Sequence, residues 1–421
     1  MNARCRRLST CLIALAVVAQ APGCTSTATK RHTYSFEHPV APDDPAFSRS
    51  LESLGNQMVG GNRAELLRNG DAIFPAMVQA IDGAKRTINL ESYIFSDDQA
   101  GSLITNALLA ARRRGVEVRV LIDGLGGHPG SLLEEMKKAG IKAQIYGPIR
   151  LWNLHRIGRR THRKILVVDG TICFTGGLGI EARWLGNARN PQEWRDTQVE
   201  ATGPVAAQMQ AIFGEDWTYQ TGEILAGNRF YPEIAPVGEL RAQALKVSRG
   251  DESSLAKMLY YVAIRSAVKS IDIENAYFLP DGQVRQALVD AARRGVTVRI
   301  MIPGKHDDVA LVRMASRSSY GELLQGGVKV YEYLHTMLHS KTAVVDGVLS
   351  IIGSINFDTR SMEKNAEESL AFYDRGFAAQ VTAMFDDDVK NCREIDYQRW
   401  RRRGLVARFD ELFSVFWTPF Y

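Results

Sequence analysis

The chain has 421 residues, of which 45% are hydrophobic and 24% charged, with 36 glycines, 14 prolines and a formal net charge of +5. That length exceeds one typical core and suits two α/β domains, and the composition excludes a disordered, collagenous or disulfide-stapled chain. Arg4, Arg6 and Arg7 precede Cys24 with no acid among them, so +2 remains once they are set aside, too mild a charge to argue for nucleic acid.

The first residues read as an export signal: a basic start, a short apolar run over 11–19, and small residues at Ala19-Gln20-Ala21 and Gly23-Cys24. The run is too short for an ordinary spanning helix. Ala21-Pro22-Gly23-Cys24 also resembles a bacterial lipobox with Cys24 as the acylated residue, although Ala21 and Pro22 depart from its preferred residues. Plain secretion and an uncleaved inner-membrane signal anchor are the alternatives. Each predicts an exported protein on the periplasmic side, close to a membrane surface.

A first domain is expected over 57–222. Its apolar spacing predicts a helix over 73–84, a strand ending at Phe95, a helix over 100–114 and a strand over 116–122. Residues 161–168 carry Ile165, Leu166, Val167 and Val168 and suit a buried strand. Asp169-Gly170 is a hairpin signal, and 171–175 would return to Gly176-Gly177. Between Tyr219 and Gly250, Gly222, Gly227, Pro232, Pro236 and Gly238 break any period, which predicts a connection.

The second domain, expected over 250–395, repeats the first. Residues 84–91 match 267–274 at an offset of 183, 107–120 match 287–300 at 180, and the two turn motifs lie 177 apart. A slowly drifting offset is the mark of two copies of one unit. Alternating helix and strand predicts an α/β fold with a largely parallel sheet. Residues 396–421 form a tail, Arg399 to Arg403 followed by Phe409, Leu412, Phe413, Phe416, Trp417, Phe420 and Tyr421. Such a tail suits a bilayer interface, and equally a helix packed on the body.

The repeated motif carries the chemistry. His162-Arg163-Lys164 with Asp169, and His339-Ser340-Lys341 with Asp346, share one spacing, and each has a glycine seven residues after its aspartate. On a strand, residues two apart share a face, so each copy presents one imidazole and one ammonium together. Arg150, Arg156, Arg159, Arg160, Arg163 and Lys164 cluster about the first motif with His155 and His162. A solvated basic loop is the plain explanation; beside a catalytic histidine an anionic substrate is the better one.

Attack on a phosphodiester needs a nucleophile, an acid for the departing alkoxide and cations for the phosphoryl oxygens. Two His and two Lys at one interface supply these, with Asn356 and Ser354 as further phosphate ligands and Arg159 and Arg160 beside them. Asp169 and Asp346 are grouped with the catalytic set, as orienting residues or turn formers. No CxxC or HExxH occurs and the eight histidines do not cluster with carboxylates, so neither metal nor other cofactor is expected. Cys173 reads as a small core residue.

The paired motifs, with Gly353-Ser354-Ile355-Asn356-Phe357-Asp358-Thr359-Arg360-Ser361 and Asn365-Ala366-Glu367, resemble the phospholipase D superfamily. Asn69-Gly70-Asp71, Glu91-Ser92-Tyr93-Ile94-Phe95, Arg113-Arg114-Gly115-Val116 and Asp123-Gly124 are similar to the short bacterial cardiolipin synthases. The resemblance runs from about Asn69 to about Arg403. It implies two phospholipase D-like α/β domains in pseudo-twofold arrangement, each a largely parallel mixed sheet flanked by helices, with the active site at the seam. It also implies a monomer acting as an internal pseudo-dimer on anionic phospholipids, transferring a phosphatidyl group through a phosphohistidine. Family precedent favours His162 as nucleophile and His339 as general acid; the residues themselves do not order the two. Where relatives often have Asn after the first glycine pair this chain has Gly179, the counterpart of Asn356, while Trp194-Arg195-Asp196 follows as in relatives. The alternatives are a hydrolase of the same superfamily, a phospholipase D or nuclease, and a non-catalytic lipid-binding lipoprotein.

Overall fold

The computed structural model describes residues 33–54, 56–148, 160–248 and 255–404. It comprises two units, Met1–Ser35 and Phe36–Tyr421, and the fold described below is that of the second. The expected signal, with Cys24, and the aromatic tail from residue 405 lie outside the described residues.

The first half supplies strands β1 (Val59–Arg68), β2 (Thr87–Ser92), β3 (Glu117–Asp123), β4 (Lys142–Tyr146), β5 (Lys164–Val168), β6 (Ile172–Gly176) and β7 (Thr197–Thr202). The second supplies β8 (Leu240–Val247), β9 (Ser270–Asn275), β10 (Thr297–Pro303), β11 (Lys329–Tyr333), β12 (Lys341–Val345), β13 (Leu349–Gly353), β14 (Glu367–Tyr373) and β15 (Cys392–Glu394). All lie in one sheet, ordered β15-β11-β10-β9-β12-β13-β14-β8-β1-β7-β6-β5-β2-β3-β4. The sheet is mixed, as expected, but its parallel pairings are confined to β2-β3-β4 and β9-β10-β11. The two hairpins pair antiparallel, because a three-residue turn can return a strand only that way, and β5 and β12 pair antiparallel with β2 and β9 as well.

The expected connection over 219–250 is corrected in part. Leu240–Val247 is a strand, pairing antiparallel with β1 on one side and β14 on the other. Together β1 and β8 fuse the half-sheets, so the break signals mark only the stretch before residue 240.

Local sequence explains the repeated helices. Asp98 caps Gln99–Arg113 through the amides of Ala100 and Gly101, and Asp281 caps Gly282–Arg293 through those of Gln283 and Val284. Both helices give way to Arg-Gly, with Gly115 at φ +91° and Gly295 at φ +94°, a left-handed conformation that glycine adopts without strain.

One apolar cluster lies mainly in each half, around Ile88, Leu108 and Val120 in the first and Ile271, Leu288 and Ile300 in the second. A third draws on both, with Phe213 and Trp217 of helix Val205–Thr221 beside Val344, Ile352 and Leu370. Burial of that shared cluster holds the halves to each other. Among the described residues no helix is long and apolar enough to cross a membrane. Cys173 is buried and Cys392 half-buried, both free.

Candidate active site

His162 directly follows Thr161, which forms an isolated parallel bridge with Ala366, and its own amide donates to the Ala366 carbonyl at 2.8 Å. Its imidazole Nδ1 lies 2.8 Å from Oε2 of Glu367, a residue of the other half. The second half repeats this with the roles exchanged. The amide of His339 donates to the Arg195 carbonyl at 2.7 Å, and its Nδ1 lies 2.9 Å from Oδ2 of Asp196 in the first half. Each histidine is therefore oriented by a carboxylate from the opposite half. A proton on Nδ1, donated to the carboxylate, leaves the Nε2 lone pair of each ring for chemistry.

Both lysines sit where the two-residue spacing puts them. Lys164 Nζ donates to the carbonyl of His162 at 2.7 Å, and Lys341 Nζ to that of His339 at 2.5 Å. Lys341 Nζ also lies 2.9 Å from Nδ1 and 3.1 Å from Nε2 of His339. All four groups are nearly fully buried. Burial holds both imidazoles neutral, His162 well below its usual range and His339 down to about 4, with the neighbouring lysines adding to the effect. The same desolvation lowers Lys164, and brings Lys341 down to about 7. His162 also feels the charge of Lys341 from the other half, which couples the two half-sites electrostatically.

Behind His162 lies a layer of acids. Ser354 Oγ donates to Glu367 Oε2 at 2.5 Å and lies 3.2 Å from Glu368 Oε2. Glu368 Oε1 accepts from the Lys164 amide at 3.0 Å and from Thr175 Oγ1 at 2.8 Å. Burial raises both carboxyls to about 7. Aromatic rings close the other sides. Tyr93 packs edge-on to His162 at 4.8 Å, while His339 has Trp184 at 5.2 Å, Trp194 at 5.3 Å and Tyr277 at 6.0 Å.

Of the residues expected from sequence, His162, Lys164, His339 and Lys341 are brought together. Asp169 and Asp346 are not. Each sits at the hairpin turn with φ +53°, beyond the far end of a five-residue strand about 16 Å long that starts two residues after its histidine. Asp169 accepts from the amides of Lys85, Arg86 and Thr87 at 2.7–2.8 Å, and Asp346 from those of Val268, Lys269 and Ser270 at 2.7–2.9 Å. These carboxylates tie each hairpin to the start of the neighbouring strand. Ser354 serves the acid layer. Asn356 is buried, with Nδ2 3.4 Å from Ser361 Oγ and no hydrogen-bond partner at Oδ1. Arg160 is buried too, donating to the Gly147 carbonyl at 2.7 Å and lying 3.6 Å from Asp123. Arg159 lies outside the described residues, as do Arg150, His155 and Arg156.

Sequence reasoning missed Asp196 and Glu367 as site residues. The signal was present: Trp194-Arg195-Asp196 and Asn365-Ala366-Glu367 stand at an offset of 171, each ending in an acid. Tyr93 and Tyr277, 184 apart, were missed in the same way. Among the described residues no group of three His, Cys, Asp or Glu side chains is arranged to hold a metal ion.

Comparison with known proteins agrees with this geometry. The family described as "Cardiolipin synthase, PLD-like domain" matches residues 77–217 and 260–389. The chain is 35% identical over 387 residues to the cardiolipin synthase of Geobacillus kaustophilus, covering 90% of this chain and 77% of that one. It is 36% identical over 377 residues to cardiolipin synthase A of Pseudomonas entomophila, covering 87% and 78%. Among solved structures, the phosphatidylserine synthase of Haemophilus influenzae shares the fold with a TM-score of 0.68 at 15% identity, covering 87% of this chain and 99% of that one. Two histidine-lysine half-sites in a duplicated sheet, matched in both halves by one family and along most of the chain by its members, place this protein in the cardiolipin synthase family of PLD-like domain proteins.

Proposed function

We propose that this protein is a phosphatidyltransferase that makes cardiolipin from phosphatidylglycerol, with a second phosphatidylglycerol or another phospholipid as partner. The observation that carries the proposal is the exchange of carboxylates between halves, which aims two neutral imidazoles from opposite halves into one buried site that also holds both lysines. His162 Nε2 attacks phosphorus and the bond to the departing glycerol oxygen breaks. His339, as imidazolium, gives that oxygen its proton, so glycerol leaves and a phosphatidyl-histidine remains. His339 then takes the proton of the acceptor hydroxyl, the new alkoxide attacks phosphorus, and the phosphorus–nitrogen bond breaks to release cardiolipin.

Burial of His162 as the neutral base supports its role as nucleophile. In the empty site His339 is neutral as well; an arriving phosphodiester anion favours its protonated form and so prepares the acid. Lys164, Lys341 and the Asn356 amide would hold the phosphoryl oxygens. Aromatic packing around His339 supports exclusion of water, which a lipid acceptor requires. Asp169 and Asp346 act on the fold rather than on phosphate.

Export and membrane attachment belong to the same reading. They are supported by the basic and apolar residues before Cys24, and Cys24→Ala is expected to abolish incorporation of labelled fatty acid if that residue carries the anchor. The activity is tested by incubating purified protein with phosphatidylglycerol in the presence of a chelator and resolving the products. Cardiolipin and glycerol in equal amounts are expected. Phosphatidic acid as the sole lipid product, or activity restored only by a divalent ion, would contradict the proposal.

A further inference from the structure

The two halves differ at one pair of positions. In the second half Ser354 Oγ donates to Oε2 of Glu367, the oxygen that binds His162, and nearby Asn356 faces Ser361 across 3.4 Å. The counterparts of Asn356 and Ser361, 177 residues earlier, are Gly179 and Trp184. A Cβ at Gly179 would lie 2.9 Å from Ile94 Cβ and 3.0 and 3.1 Å from two atoms of the Trp184 ring, so the indole occupies the space an asparagine would need. Trp184 is buried, and its Nε1–H donates to Asp196 Oδ2 at 2.7 Å. That oxygen is the one bound to His339 Nδ1. Its ring also stands edge-on to His339 at 81°.

We infer that Trp184 is a positioning residue for His339: its indole N–H fixes the Asp196 carboxylate that orients the imidazole, taking over in the first half the part Ser354 plays in the second. Gly179 is the space this device requires. The half-sites are thereby unequal by construction. His162 is oriented from a polar pocket that keeps an asparagine at the phosphate, whereas His339 is oriented from an aromatic one that has no such ligand. The stronger phosphate grip thus lies in the second half, opposite the proposed nucleophile, and the water-poor wall lies around the proposed acid and base.

Asp196 Oδ1 already accepts the amide of Thr197 at 2.8 Å, so loss of the indole donor leaves Oδ2 with the imidazole alone. More of the carboxylate charge then falls on His339, and its protonated form is favoured. The other charged or titratable groups facing His339 are Lys341 from β12, Asp308 and Tyr277 from the loops after β10 and β9, and His162 from the opposite half. None of them is altered by a change at Trp184.

The inference rests on the proposed role of His339, and the test separates the two. The pH dependence of kcat is measured for wild type and Trp184→Phe, which keeps an aromatic ring and removes the N–H. Loss of a hydrogen bond to a charged group is expected to lower kcat roughly tenfold. KM should change little, and the limb set by His339 should move to higher pH. Gly179→Ala, which displaces the indole, should move it the same way. An unchanged pH profile in Trp184→Phe would overturn the inference, whatever happens to kcat. If that variant does not fold, benzothienylalanine at position 184 keeps the bicyclic ring and lacks only the N–H, and the same outcomes decide. Full turnover in His339→Asn would instead overturn the functional reading on which the inference stands.

Discussion

At the scale of single residues, the site depends on two carboxylates as much as on two histidines. Asp196 and Glu367 fix which imidazole nitrogen carries the proton, and each reaches across from the other half. Asp196→Asn and Glu367→Gln keep shape but can present an N–H where an acceptor is needed, turning the ring to the wrong tautomer. Each is expected to lower kcat by about 10²- to 10⁴-fold with little change in melting temperature. Steady-state kinetics beside a thermal melt checks this, and wild-type kcat in either variant would show that the carboxylate has no part in catalysis. The histidines and lysines were legible because their two-residue spacing is local and recurs in both halves, although each histidine precedes its strand rather than sharing it. The carboxylates were not, because they lie next to their histidines only across the halves, a relation that no local spacing records.

The elements tell a similar story about the third letter of the motif. Asp169 and Asp346 belong to the string as strictly as the histidines do, yet their carboxylates are spent on three backbone amides each at the hairpin turns. Asp169→Ala is expected to cost about 2–3 kcal/mol of stability, through lost hydrogen bonds and a left-handed backbone that alanine tolerates poorly. The activity per folded molecule should stay near wild type. Denaturant unfolding with kinetics on the folded fraction measures both, and a stable but inactive variant would return Asp169 to the catalytic set. Helices and hairpins were read to within a few residues from caps, glycines and apolar spacing. Strand β8 was not, since the prolines and glycines before residue 240 mask a strand that forms only by pairing with β1 and β14. The parallel share of the sheet was overestimated for a related reason: helix-strand alternation governs β2-β3-β4 and β9-β10-β11, but the hairpin strands pair by their turns.

At the scale of the whole molecule, duplication has become one sheet with one site. Because each histidine is completed by the other half of the same chain, the site is intramolecular. Mixing His162→Asn protein with His339→Asn protein is therefore expected to restore no cardiolipin synthesis; recovery of activity would mean that halves of different chains combine. The asymmetry between Gly179 and Asn356 was visible in the sequence as a missing polar residue. Its cause was not, for only the fold brings Trp184 into that space and onto Asp196.

Covalent transfer at one site built from both halves requires a phosphatidyl group held transiently on a histidine. Wild-type protein is mixed with phosphatidylglycerol, quenched in alkaline denaturant to preserve a phosphorus–nitrogen bond, digested and analysed by mass spectrometry. The expected result is a phosphatidyl group on the peptide carrying His162, formed as fast as glycerol is released and lost as cardiolipin appears. Steady cardiolipin synthesis with no adduct on either histidine would contradict it.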